Sequence, residues 1–130
     1  MPILGVGVDI ENIERFREIE RLKSAGFLNK IFTKKELNYC FSKADAAPHL
    51  AARFAGKEAI IKSLNSIEKR HPPHNLIEIV NNKNGVPLVR LCEKRLGRIE
   101  VAISLSHSKD VAIAFAIARE GKKQCKKLNH

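Results

Sequence analysis

The chain has no tryptophan, one tyrosine and six phenylalanines. Proteins that hold single-stranded nucleic acid lean on aromatic stacking, so such a platform is poorly supplied here. Its three cysteines, Cys40, Cys92 and Cys125, are odd in number and form no CxxC pair. That argues against a disulfide framework or a thiolate zinc site and for a reducing, cytoplasmic setting. There is no GxxxxGKS/T phosphate loop, no GxSxG elbow and no RNA-recognition aromatic motif. Neither a signal peptide nor a membrane span is expected. The apolar N-terminus lacks a basic leader, and Asp9 interrupts it well short of the roughly 20 residues a spanning helix needs. Acidic residues are few, 14 against 24 Lys and Arg, which leaves a formal charge of +10. Such a surface suits nucleic acid, phosphorylated small molecules or an acidic protein, and charge alone does not choose among them.

What is present reads as one globular α+β domain. The 130 residues are 44% hydrophobic and 29% charged, which suits a single modest core. Residues 3–9 form an apolar run of strand type. From Glu11 to about Lys23 the period becomes helical, with Ile13, Phe16, Ile19 and Leu22 recurring, and Gly26 is expected to break that helix. Thr33 and Glu36 have capping-box spacing and predict a short helix to about Ser42. Pro48 suits the first turn of a longer helix through Asn65. Residues 76–80 alternate like a strand, Asn84-Gly85 is a hairpin turn signal, and residues 88–92 return as the partner. Two more strands are predicted over 99–106 and 111–118. The domain is expected to span residues 1–120, with a basic tail over 121–130.

Three places hold polar groups that their surroundings do not explain. Asp9 ends the first apolar run, where an unpaired carboxylate is expensive. It serves either as an N-cap for the following helix or as something functional. On the central helix, Glu58 shares a face with Phe54 and Ile61, and Lys62 follows one turn later. The plain alternative is an exposed i,i+4 ion pair. In "ISLSHS", Ser104 and Ser106 lie on one strand face and Ile103 and Leu105 on the other. The serines suit either a close-approaching ligand or a tight interior. His107 stands at the strand end, without a second His or Cys at zinc-ligand spacing.

Together these segments resemble a known family. "GVGVDIENIERF", "RFAGKEAIIKSL" and "ISLSHS" match the G-x-D, F-x-x-K-E-x-x-x-K and S-x-S-H pattern of the holo-acyl-carrier-protein synthases. That family belongs to the 4'-phosphopantetheinyl transferase superfamily. "IFTKKEL" and "NGVP" match as well, so the resemblance covers most of residues 3–118. It implies an antiparallel sheet packed with helices, in a small class that forms homotrimers with active sites between subunits. It also implies a reaction: the 4'-phosphopantetheine arm of coenzyme A passes to a serine of apo acyl carrier protein, releasing adenosine 3',5'-bisphosphate and supporting fatty acid biosynthesis.

By the same resemblance, Asp9 and Glu58 are ligands of Mg²⁺, a hard ion that takes one or two carboxylates plus phosphate oxygens and water. Lys62 lies near the diphosphate and assists the leaving group. Glu58 or a metal-held water takes the serine proton. Arg53, Gly85, Pro87, Ser106 and His107 contact coenzyme A, and Arg15 and Arg21 dock the acidic carrier protein. Asn65-Ser66-Ile67 stands where most relatives have Gly-Thr-Gly, and residues 91–99 look short for a helix found in some relatives. The competing reading, a basic nucleic-acid-binding module without catalysis, explains the charge and nothing else.

Overall fold

The apolar N-terminus continues past Asp9 as strand β1 (Leu4–Asn12) in the computed structural model, which describes residues 3–121. Period-2 alternation holds through Asp9 and Glu11, and pairing with the last strand reaches Asn12 opposite Val111. Helix α1 (Ile13–Arg21) therefore starts later than expected. Its N-cap is Asn12, whose side chain accepts from the Glu14 N–H at 2.9 Å. Asp9 is not a cap. The break falls at Lys23, whose φ of 52° is left-handed, and Gly26 lies inside a helix missed by the periodicity, α2 (Ala25–Ile31).

Helix α3 (Lys34–Phe41) has the predicted capping box: the Glu36 N–H donates to Thr33 Oγ1 at 3.3 Å, and the Thr33 N–H donates to Glu36 Oε1 at 2.9 Å. Helix α4 (Ala46–Leu64) carries Pro48 in its first turn. A single 3-10 turn, His74–Leu76, leads into β2 (Ile77–Asn81), which pairs antiparallel with β3 (Pro87–Leu91). Gly85 makes their turn with φ 79°, where a side chain would be strained. A 3-10 turn over Lys94–Leu96 fills the short stretch before β4 (Ile99–His107). The last strand is β5 (Val111–Glu120). Of the tail predicted over 121–130, all but Gly121 lies outside the described residues.

The main sheet has the order β1-β5-β4, antiparallel throughout. One face carries Gly5, Gly7, Asp9 and Glu11 of β1 beside Ala118, Ala116, Ala114 and Ala112 of β5. Helix α4 lies against that face, and the small residues are the reason it can. A Cβ on Gly5 would stand 1.7 Å from the Ser63 carbonyl oxygen, and one on Gly7 2.0 Å from that of Ala59. The backbone of α4 thus rests directly on β1, with no side chain between them.

The opposite face is apolar and uncovered. Val6, Val8 and Ile10 of β1 and Ile113 and Phe115 of β5 are all exposed, Val6 at 57% and Ile10 at 61%. Ser104 and Ser106 lie on this outer face, opposite Phe115 and Ile113, and not in a packed interior. No helix among the described residues is long and apolar enough to cross a membrane.

Candidate active site

The close approach of α4 to β1 determines which charged groups meet. The Lys62 ammonium donates to the Val8 carbonyl at 2.9 Å and lies 3.4 Å from Asp9 Oδ1. The i,i+4 pair of Glu58 with Lys62, plausible from spacing, is not what forms: Lys62 pairs across to the strand. Asp9 Oδ2 is buried and has no hydrogen-bond partner. An oxygen left so is costly unless something else binds it.

Glu11, two residues along the same strand face, adds to the crowding. Its pKa is pushed up to about 7, first by burial, then by the adjacent Asp9 carboxylate, with Glu58 adding repulsion. Arg15 opposes this from 3.1 Å. Burial and neighbouring carboxylates both favour its protonated form. Glu58 completes the cluster from α4, with Oε2 2.5 Å from His74 Nε2. No three acidic, His or Cys groups among the described residues form a ready-made metal cage. A cation bound by Asp9, Glu11 or Glu58 would need further oxygens from substrate or water.

The five residues that the resemblance assigns to coenzyme A lie together elsewhere. Arg53, Gly85, Pro87, Ser106 and His107 all line one hollow of about 160 Å³. Arg53 and Lys62 are nine positions apart on α4, which at about 100° per residue places them on opposite sides of the helix. Arg53 is 3% exposed. Its Nη2 donates to Asn81 Oδ1 at 3.2 Å, its guanidinium lies 4.2 Å from the Tyr39 ring centroid, and its Nε is buried without a partner. Asn81 in turn donates to the Tyr39 hydroxyl at 3.0 Å. Beside His107, at 6.0 Å between rings, is His49. Burial first, then the nearby Arg53 and His107, pull the His49 imidazole below its usual pKa.

Sequence reasoning missed Glu11, His74, Tyr39, His49 and Asn81. Glu11 was legible as the i+2 neighbour of Asp9 on a strand, had the strand been extended. His74 sits in an irregular stretch with no local signal. The two docking arginines differ in surroundings. Arg15 leans over the Phe16 and Phe54 rings at 5.4 and 5.3 Å, while Arg21 pairs with Glu18 at the exposed end of α1.

Carboxylates and an ammonium that converge on one point, with a buried guanidinium and imidazoles in a nearby hollow, are groups suited to holding and transferring phosphorylated substrates. The class is that of α+β group-transfer enzymes. Residues 5–116 match the family described as the 4'-phosphopantetheinyl transferase superfamily. The chain belongs to that superfamily and is a phosphopantetheinyl transferase.

It is similar to the holo-(acyl-carrier-protein) synthase of Thermodesulfovibrio yellowstonii, with 45% identity covering 88% of this chain and 97% of that one. The Aquifex aeolicus enzyme of the same name is 38% identical, over 88% and 98%. Among solved structures, the Bacillus anthracis holo-(acyl-carrier-protein) synthase in complex with coenzyme A (3',5'-ADP) superposes with a TM-score of 0.76. It shares 27% identity and is covered completely by 93% of this chain. The Mycobacterium tuberculosis acyl carrier protein synthase gives a TM-score of 0.71 at 36% identity, over 91% and 98%.

Proposed function

We propose that this transferase moves the 4'-phosphopantetheine arm from coenzyme A to a serine of an apo acyl carrier protein, with Mg²⁺, releasing adenosine 3',5'-bisphosphate and serving fatty acid synthesis in the cytoplasm. The observation that carries the reading is the buried, partnerless Asp9 Oδ2, beside a Glu11 carboxyl raised by burial and by the neighbouring carboxylates. That is the setting a hard cation relieves. Asp9 and Glu58 would hold the ion, with Glu11 beside them. When bound, Mg²⁺ neutralises and orients the diphosphate oxygens. Relatives that bear the synthase name, and neighbours solved with coenzyme A, support the substrates. Both described cysteines, Cys40 and Cys92, are free, which suits a reducing compartment.

The chain's own groups have distinct tasks. Arg53 and His107 bind coenzyme phosphates in the hollow, and the backbone at Gly85 and Pro87 with Ser106 closes round its adenosine end. Lys62 sets an ammonium where charge grows on the departing phosphate, so its benefit is larger in the transition state than in the bound substrate. Lys62 and Arg53 face opposite ways from α4, so one chain does not wrap one coenzyme with both. A homotrimer that joins the hollow of one subunit to the carboxylates of the next resolves this, and the uncovered apolar sheet face is a surface for it. Sedimentation equilibrium that returns a monomer at micromolar concentration would remove the shared-site reading. Arg15 and Arg21 dock the acidic carrier protein, which accounts for the +10 charge without nucleic acid.

Mass spectrometry of apo acyl carrier protein incubated with enzyme, coenzyme A and Mg²⁺ tests the whole reading: the carrier gains one phosphopantetheine arm, and no gain refutes it. In the same assay Lys62→Met, which keeps the stem and loses the charge, should lower kcat by orders of magnitude and raise the KM for coenzyme A less. A kcat near wild type would make Lys62 a mere partner of Asp9. Arg15→Glu with Arg21→Glu should raise the carrier-protein KM and flatten its salt dependence, with coenzyme A affinity nearly unchanged. An unchanged carrier KM at low salt would move the docking surface away from α1.

A further inference from the structure

Glu58 enters the site with one oxygen engaged and one free. Its Oε2 lies 2.5 Å from His74 Nε2, and no described residue donates to Oε1. In the ionised form that binds a cation a carboxylate only accepts, so that form of the contact takes an Nε2–H that donates.

His74 is itself held from two directions. Its ring lies parallel to that of Phe54, 5.6 Å between centroids and 2° between planes. Its backbone carbonyl accepts from the Lys57 ammonium at 2.9 Å. Lys57 is fully buried and paired with Glu36 at 2.8 Å, so this anchor does not swing. Phe54, Lys57 and Glu58 all belong to α4. One helix thus carries the carboxylate, the ring on which its partner stacks and the ammonium that fixes that partner's backbone. The Phe54 ring also carries the Arg15 guanidinium, which pairs with Glu11.

We propose that His74 is a positioning residue for the transfer reaction: by donating to Oε2 it fixes the rotamer of Glu58 and leaves Oε1 as the oxygen free for a cation. The inference rests on the reading of Glu58 as a Mg²⁺ ligand. A half-exposed glutamate with free rotamers loses that freedom when it binds an ion. His74 has already removed it, so the ion meets a prearranged oxygen. Partners that orient a metal ligand typically matter by about 10–100-fold in affinity or activity.

The test uses the full chain, Mn²⁺ as probe and coenzyme A present, with free Mn²⁺ read by electron paramagnetic resonance. His74→Phe keeps a ring on Phe54 and removes the donor, while His74→Gln keeps an N–H donor and removes the ring. His74→Phe should raise the Mn²⁺ Kd on the order of tenfold or more and lower kcat, with the coenzyme A KM little changed. His74→Gln should recover most of the Mn²⁺ affinity. A merely structural histidine would move the melting temperature and leave the Mn²⁺ Kd alone. Wild-type Mn²⁺ affinity in His74→Phe, or no recovery in His74→Gln, overturns the inference and leaves the metal reading standing. Wild-type enzyme that takes up no Mn²⁺ beside coenzyme A overturns both.

Discussion

Asp9→Ala and Glu58→Ala should each lower phosphopantetheine transfer by on the order of a thousandfold, about 4 kcal/mol of transition-state stabilisation, while both variants stay folded. Asp9→Ala separates function from stability most sharply. Its carboxylate holds one oxygen buried without a partner and helps to push the Glu11 carboxyl to about 7. Removing it relieves repulsion within the fold and gives up only a long, half-exposed contact with Lys62. The melting temperature should hold or rise as activity collapses. A group kept at a cost to stability and needed for rate is the pattern expected of a site built for a ligand. The measurement is kcat at low Mg²⁺ beside a melting curve. A variant that transfers at the wild-type rate under those conditions did not lose a metal ligand.

Gly7→Ala should be strongly destabilising, by roughly 3 kcal/mol or more, at the upper end of overpacking effects. The added Cβ would stand 2.0 Å from the Ala59 carbonyl oxygen and 2.9 Å from Lys62 Cβ. Backbone atoms of a buried helix cannot turn aside as a side chain can, so α4 must lift away from β1. Whatever fraction stays folded then carries Glu58 and Lys62 away from Asp9, and activity should fall further than the folded fraction does. Gly26→Ala is the matched control. It adds a methyl inside α2 with nothing within 4 Å and should stabilise by roughly 0.5–1 kcal/mol through helix propensity. Urea titration reads both. A midpoint for Gly7→Ala equal to that of the wild type would mean the α4–β1 contact is looser than described.

Local chemistry carried much of the architecture. Thr33 and Glu36 announced their capping box, Asn84-Gly85 its hairpin, and alternation the four strands after the central helix, because each depends on residues a few positions apart. The errors at the N-terminus have the same origin. Asp9 and Glu11 read as the end of a strand and the start of a helix, yet pairing with β5 extends the strand to Asn12. Lys23, with no sequence mark of its own, takes a left-handed conformation and makes the break expected at Gly26.

The sequence by itself determined the backbone's repertoire and the identity of the reactive groups: an apolar strand ending on an acid, a helix with Glu58 and Lys62 one turn apart, a strand ending on Ser106 and His107. Only the tertiary structure decided which groups meet. Lys62 turns to Val8 and Asp9 and not to Glu58, Glu58 takes His74, and Arg53 faces a different hollow on the far side of the same helix. Those choices depend on the distance and rotation at which α4 rests on β1, which two glycines permit and long-range packing enforces. Spacing along the chain names the neighbours on a helix face, but the rotation of that face against a sheet comes from contacts between residues more than fifty positions apart.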